Sequence, residues 1–166
     1  MNIWDSARDG RPEVVNYLLQ KEPRMVNQKD ENDVTPLCYA VLGNQPAIVK
    51  MLIENGAKVS MPRYIELKHF LLPLIFTNYN CPLSKTSVPL VFAAMNGNVE
   101  TSKILLQHKS KVRSLNKHGI SPFHAAVTNG GANSEKLVKM MLEADPECAN
   151  YLSPSVGTYR VCILTS

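Results

Sequence analysis

Residues 121–126 read Ser121-Pro122-Phe123-His124-Ala125-Ala126, and two closely related motifs occur earlier in the chain. They are Thr35-Pro36-Leu37-Cys38-Tyr39-Ala40 and Val88-Pro89-Leu90-Val91-Phe92-Ala93. The last two copies begin 33 residues apart, at Val88 and Ser121. A fixed period of this size indicates a stack of small units of one kind, and such stacks commonly serve as binding surfaces.

Each motif predicts the start of a short helix. The hydroxyls of Thr35 and Ser121 can cap free backbone N–H groups, and the proline that follows suits the first helical position. Val88 lacks this hydroxyl. Counting from the first residue of each motif, or from Met1 in the first unit, position ten is always a glycine or an asparagine. These residues tolerate a left-handed backbone, so the first helix is expected to end there.

A second helix follows in each unit, because an apolar stripe recurs at helical spacing, as in residues 48–53 and 104–106. Residues 137–142 fall into the same register only if Gly131 to Asn133 are an insertion of three. Gly56-Ala57 closes the second unit, whereas Lys109-Ser110 is a weaker stop in the third. We therefore predict an all-α repeat solenoid of stacked helix-turn-helix units. The predicted units cover residues 1–33, 34–62, 83–119 and 120–150.

These features resemble ankyrin repeats, whose units open on Thr-Pro-Leu-His-x-Ala and close on Gly-Ala-x-Val-Asn. Residues 121–126 are the closest opening, and residues 48–59 are the closest second half. The resemblance covers roughly residues 1–150. It implies short β-turn or hairpin connections between units, no cofactor, and a protein partner that is bound by the turn tips and the exposed face of the first helices. It also implies that His124 serves the fold through a hydrogen bond.

The resemblance supplies a set of candidate partner-binding residues. The tip before the second unit contributes Lys29, Glu31 and Asn32, and the tip before the fourth contributes Lys117 and His118. Positions five and eight of the first helices change along the stack from charged to apolar and then to small. The candidates at these positions are Arg8, Tyr39, Leu42, Phe92, Met95 and Thr128.

Charge is distributed unevenly along the chain. Residues 34–117 carry ten basic and three acidic side chains, whereas the whole chain has a net charge of only +4. This middle region could attract an acidic partner surface. The basic stretch Lys109, Lys111, Arg113 and Lys117 lacks the interleaved aromatic residues of a nucleic-acid site, so we expect no nucleic acid.

Two segments depart from the repeat. The motifs at Thr35 and Val88 begin 53 residues apart, twenty more than the period, and the excess lies in the apolar stretch 63–82. This stretch can be an ordered insertion, a hydrophobic docking arm or a translated non-coding segment. Residues 151–166 form an irregular, apolar tail where a polar terminal unit is expected. The tail suggests a shortened isoform, a fragment or an incomplete gene model.

The chain is expected to be a non-catalytic interaction module, either an adaptor or a recognition domain of a larger assembly. The alternative is a dedicated inhibitor of an enzyme such as a protein kinase, since four free-standing units are similar to the ankyrin-type inhibitors of cyclin-dependent kinases. Scattered cysteines and histidines show no metal-ligand spacing, and the phosphate-binding pattern GxxxxGK is absent. With no visible signal peptide or membrane span, we expect a monomer in the cytoplasm or nucleus.

Overall fold

The computed structural model describes residues 2–59, 88–116 and 119–150. The predicted insertion at 63–82 and the tail at 151–166 lie outside these residues, and so do Lys117 and His118. The unit boundaries therefore stay a prediction. Across the ranges that are described, no helix has both the length and the apolar character needed to cross a membrane.

The described residues form eight α-helices and no β-strand, and consecutive helices pack in four pairs. The all-α solenoid predicted from the repeat is confirmed. In chain order the helices are α1 (Ile3–Arg8), α2 (Pro12–Lys21), α3 (Pro36–Leu42), α4 (Pro46–Glu54), α5 (Pro89–Met95), α6 (Val99–Gln107), α7 (Pro122–Asn129) and α8 (Ser134–Ala144). Single 3-10 turns follow α2 and α8, at Pro23–Asn27 and Pro146–Asn150.

Position ten ends the first helix of every pair in a left-handed backbone, as the sequence predicts. The φ angles are 74° at Gly10, 51° at Asn44, 69° at Gly97 and 59° at Gly130. Glycine has no Cβ to clash in this region, and asparagine is among the side chains that tolerate it best. This reversal lets the second helix fold back against the first.

Of the two side-chain caps predicted from the sequence, at Thr35 and Ser121, the structure contains one. Ser121 accepts a hydrogen bond from the His124 N–H at 3.2 Å and caps α7. Thr35 makes no such bond, so its predicted cap is wrong. The Thr35 hydroxyl instead lies 3.4 Å from Cys38 Sγ, and the Cys38 N–H bonds to the Thr35 carbonyl at 3.0 Å. Val88 also leaves α5 without a side-chain cap.

The core runs along the stack because the first helices pack side by side, α1 on α3, α3 on α5 and α5 on α7. Each second helix buries two residues four positions apart beneath them. The buried pairs are Val15 and Leu19, Ile48 and Leu52, Thr101 and Leu105, and Leu137 and Met141. Burying one such aliphatic side chain contributes about 1.5–3 kcal/mol. The contact of α3 with α5 makes the stack continuous across residues 60–87.

Side chains also bond neighbouring units together. After the first helices, the Asn98 amide donates to the Val41 carbonyl at 3.1 Å, and the Asn133 amide donates to the Gly97 carbonyl at 3.0 Å. After the second helices, Ser110 Oγ donates to the Val59 carbonyl at 3.1 Å. These bonds join side chains of one unit to backbone carbonyls of the preceding unit.

Gly43 lies where the first two units approach each other so closely that no side chain fits between them. A Cβ at Gly43 would lie 2.0 Å from the Arg8 carbonyl oxygen of the neighbouring unit, although its own φ of −71° suits any residue. We expect Gly43→Ala to lower the free energy of unfolding by about 1–3 kcal/mol, measured by chemical denaturation. Gly131→Ala is the control, because its Cβ would meet nothing closer than 3.7 Å. Equal stability of the two variants would contradict this close approach.

Lys109 occupies a position that favours glycine. Its φ is 63°, and the equivalent residue of the second unit, Gly56, has a φ of 90°. We expect Lys109→Gly to raise the free energy of unfolding by about 1 kcal/mol, because the left-handed backbone then costs no steric strain. Gly56→Lys should lower it by a similar amount. A Lys109→Gly variant that unfolds at a lower denaturant concentration than the parent would contradict the claim that the backbone of Lys109 is strained.

Candidate functional site

The turn tip before α3 is organised by Asp30. Its Oδ1 accepts hydrogen bonds from the backbone N–H groups of Asn32 at 2.9 Å and Val34 at 2.8 Å. Asp33 completes the turn with a φ of 62°. An aspartate side chain that accepts hydrogen bonds from backbone N–H groups a few residues later commonly stabilises a turn. The three predicted tip residues Lys29, Glu31 and Asn32 are exposed around this centre.

Tyr39 connects the tip to the first-helix face. Its hydroxyl donates to Asp30 Oδ2 at 2.7 Å. Burial raises the pKa of Tyr39, and the hydrogen bond and negative charge of Asp30 raise it further, to about 12. Burial also opposes ionisation of Asp30, but hydrogen bonds from Tyr39, Val34 and Asn32 outweigh it and hold the pKa below the ordinary value. At neutral pH the pair is a phenol donating to a carboxylate.

An open groove runs between this tip and α1. It is lined by Asn2, Trp4, Asp5, Lys29, Asp30, Glu31, Asn32 and Tyr39. The Trp4 indole N–H donates to the Gln28 carbonyl at 3.3 Å, which ties α1 to the base of the tip. The structure thus brings four of the predicted residues, Lys29, Glu31, Asn32 and Tyr39, to one concave surface.

Arg8 lies beside this groove, but its charge is already matched. Its guanidinium contacts Asp9 at 3.0 Å and Asp5 at 3.3 Å. All three side chains are substantially exposed, so these pairs are weak and can exchange for contacts with a partner.

The predicted apolar row lies on the neighbouring first helices. Leu42 and Met95 are each half-buried, as is Phe92. Tyr39, Phe92 and Met95 also pack against the core, so they serve the fold as well as the surface. Thr128 is exposed, and its hydroxyl donates to the His124 carbonyl at 2.8 Å.

The tip before α7 repeats the turn of the first tip. Asn116 takes the place of Asp30: its Oδ1 accepts from the Ile120 N–H at 2.9 Å, and Gly119 has a φ of 72°. Lys117 and His118, predicted at this tip, lie outside the described residues. Their part in a surface stays a prediction.

His124 serves the fold, as predicted. Ser121 Oγ lies 2.6 Å from His124 Nδ1 and accepts from the His124 backbone N–H. Burial lowers the pKa of the imidazole, so the ring is neutral at physiological pH. Within the described ranges, no three His, Cys, Asp or Glu side chains come together as a metal site.

Four groove residues were absent from the candidates drawn from the sequence: Asn2, Trp4, Asp5 and Asp30. Trp4 and Asp30 matter most, because each makes a hydrogen bond that organises the groove. Trp4 stands at position four, the position of His124 in the last motif, and is the single tryptophan of the chain. Asp30 precedes its motif by the same interval at which Asn116 precedes Ser121. This shared spacing of two turn-forming side chains is the signal that identifies Asp30.

Comparison with known proteins gives a consistent result. The profile of ankyrin repeats (3 copies) matches residues 3–63 and 65–150. Alpha-latrocrustotoxin-Lt1a of Latrodectus tredecimguttatus is 32% identical over 120 residues, 72% of this chain and 7% of that protein. Ankyrin repeat protein nuc-2 of Neurospora crassa is 26% identical over 126 residues, 75% of this chain and 10% of that protein.

The human transient receptor potential cation channel subfamily A member 1 is 32% identical over 136 residues, which are 80% of this chain and 10% of the channel. This chain therefore spans a small fraction of the length of these relatives. Ankyrin repeats are generally protein–protein interaction modules, and as a family they are typically non-catalytic. The matched profile, the four helix pairs and the left-handed position ten agree: the chain belongs to the ankyrin-repeat family.

Proposed function

We propose that this chain is an adaptor or recognition module that binds a protein partner on its concave side. The partner contacts the tip at Lys29, Glu31 and Asn32 and the first-helix row at Leu42 and Met95. The observation that carries the proposal is that row. Because α3 packs on α5, Leu42 and Met95 occupy the same position of adjacent units and stay partly exposed. Methionine is enriched in protein–protein interfaces, so Met95 is a favourable anchor, and Leu42 extends the apolar surface beside it.

The tip supports this proposal because it is ordered before any partner arrives. Asp30 accepts two backbone hydrogen bonds and one from Tyr39, so the turn and the first helix hold each other in place. A surface that is fixed in advance loses less conformational entropy on binding. The groove also offers both charge, from Asp5 and Lys29, and aromatic surface, from Trp4 and Tyr39.

We further propose that the module acts as a monomer in the cytoplasm or nucleus. The described cysteines, Cys38 and Cys148, are both buried free thiols, which suits a reducing compartment. The module corresponds to 7–10% of the length of the relatives named above, which supports a role as one recognition segment within a larger assembly.

Removing the Tyr39 hydroxyl tests the ordered tip. We expect Tyr39→Phe to lower the free energy of unfolding by about 1 kcal/mol, because Asp30 loses a hydrogen bond. In an Asp30→Asn background, Tyr39→Phe should lower the free energy of unfolding by less, because the hydroxyl then loses a bond to a neutral amide in place of a carboxylate. The turn itself should persist in this background, since Asn116 supports the equivalent turn before α7. The difference between the two backgrounds is measured by a double-mutant cycle in urea. Equal costs in the two backgrounds would mean that the pair is not coupled.

The same pair predicts a dependence on pH. Because the pKa of Asp30 is lower in the folded chain than its ordinary value of 3.8, the ionised carboxylate stabilises the fold above that value. The contribution is lost as the pH falls through the folded pKa. The stability gap between the parent and Asp30→Asn should therefore close in acid, as followed by urea unfolding at stepped pH values.

Capture of the partner tests the surface itself. Immobilised protein is exposed to lysate from the source cells, and bound proteins are identified by mass spectrometry. Leu42→Glu with Met95→Glu should abolish capture, because two buried charges at the interface oppose binding. Tyr17→Glu with Gln107→Glu is the matched control, since it places two charges on exposed sites of the second helices.

Circular dichroism and thermal unfolding must show that both double variants stay folded. Partners retained by the Leu42 and Met95 variant, or lost equally from the control, would overturn the proposed surface. Capture of a single protein kinase that loses activity when bound would identify an inhibitor in place of an adaptor.

A further inference from the structure

Lys109 keeps a backbone conformation that costs stability. The end of α6 matches the end of α4: the Ser110 N–H donates to the Leu105 carbonyl at 3.0 Å, as the Ala57 N–H donates to the Leu52 carbonyl at 2.9 Å. The second unit places glycine at the left-handed residue of this turn, and the third unit places an exposed lysine there. A strained backbone residue points to a use for its side chain.

Two more lysines lie on the same edge of the stack. Lys58 and Lys111 occupy position 24 of the second and third units, and both are exposed. The bond from Ser110 Oγ to the Val59 carbonyl joins the two chain segments at 3.1 Å. The Lys58 N–H donates to Asn27 Oδ1 at 2.9 Å, which fixes the backbone at that lysine. We call Lys58, Lys109 and Lys111 the exit strip, because they follow the second helices.

The exit strip differs from other basic side chains of the stack in its ion pairing. None of its three amines pairs with a carboxylate among the described residues. Neighbouring cations differ: Lys50 contacts Glu54 at 4.0 Å, and Arg113 makes two hydrogen bonds to Asp145, at 2.5 and 2.6 Å. Asp145 belongs to the exit of the fourth unit, so the run of positive charge ends there.

We propose that the exit strip binds an extended acidic segment of a protein partner. Packed helices lie about 8–10 Å apart, and α4 packs on α6, so we expect a similar distance between the backbones that carry Lys58 and Lys111. An extended chain covers this distance in about three residues. Carboxylates three residues apart in the segment would therefore meet Lys58 and Lys111, and Lys109 lies two residues before Lys111 in the same turn.

The chemistry of the strip favours this partner over other polyanions. Sequence-readable membrane binding usually needs clusters of about four to eight basic residues, and the strip has three. Its three members offer no aromatic ring on which a nucleic-acid base could stack. The strip lies apart from the Leu42 and Met95 row, so the two surfaces can be tested separately.

Fluorescence anisotropy with a labelled peptide of repeated Glu-Gly-Ser tests the proposal, and the matching Gln-Gly-Ser peptide is the neutral probe. The parent should bind the first peptide, more weakly as salt rises, and not the second. Lys58→Glu with Lys111→Glu should weaken binding at least about tenfold, since attraction becomes repulsion. Lys109→Gly should weaken it about threefold while raising the unfolding temperature, a combination that a purely structural lysine would not produce.

Lys103→Glu with Lys136→Glu is the control, because it reverses two exposed lysines elsewhere on α6 and α8. It should change affinity by less than about twofold. Equal loss in the control, unchanged affinity in the strip variants, or binding of phosphatidylserine vesicles or RNA without the peptide would each overturn the proposal. Leu42→Glu with Met95→Glu should leave peptide binding intact. The proposal for the exit strip and the proposal for the concave surface can therefore be rejected independently of each other.

Discussion

The structure depends on the lateral packing of each helix pair against the next. A single pair has two short helices and cannot bury both of its faces, so its apolar residues become core only when a neighbour covers them. The contact at Gly43 shows how closely the units approach, since the Arg8 carbonyl of the first unit occupies the space of a Cβ. Asparagine, serine and arginine side chains then bond unit to unit at both ends of the helices.

The same packing explains how a surface suited to recognition arises without an active site. Once the first helices stand side by side, equivalent positions form rows, and the fold constrains the outward residues of a row only weakly. Leu42 and Met95 vary the chemistry of one row while the buried pairs beneath them stay aliphatic or small. At the tip, the bond between Asp30 and Tyr39 converts a surface turn into a fixed edge of the groove.

Much of the fold follows from the sequence because the repeat confines each residue type to one environment. Position ten must reverse the chain, which only a few residues allow, and all four copies do so with positive φ. The absence of a side-chain cap at Thr35 does not follow from the repeat pattern, since the contact that the hydroxyl makes depends on the residue at position four. Ser121 Oγ contacts the His124 ring nitrogen and also accepts from the His124 backbone N–H, whereas the Thr35 hydroxyl contacts the Cys38 sulfur and makes no cap.

The candidate site was only partly predictable for a related reason. The position of a residue in the repeat predicts whether it lies at an exposed turn tip, and this holds for Lys29, Glu31 and Asn32. The groove also needs Trp4 and Asp30, whose roles come from contacts with Gln28 and Tyr39 that lie 24 and 9 residues away in the chain. Such contacts depend on the angle between a turn and the next helix, which the repeat pattern does not specify.

Hydrogen exchange measured by mass spectrometry across a series of denaturant concentrations tests the central claim most directly, which is that the four pairs form one stack. The informative elements are α4 and α6, which pack against each other on either side of residues 60–87. One stack predicts that the amides of α4 and α6 lose protection at the same denaturant concentration. Loss of protection throughout residues 2–59 while residues 88–150 stay protected would contradict it.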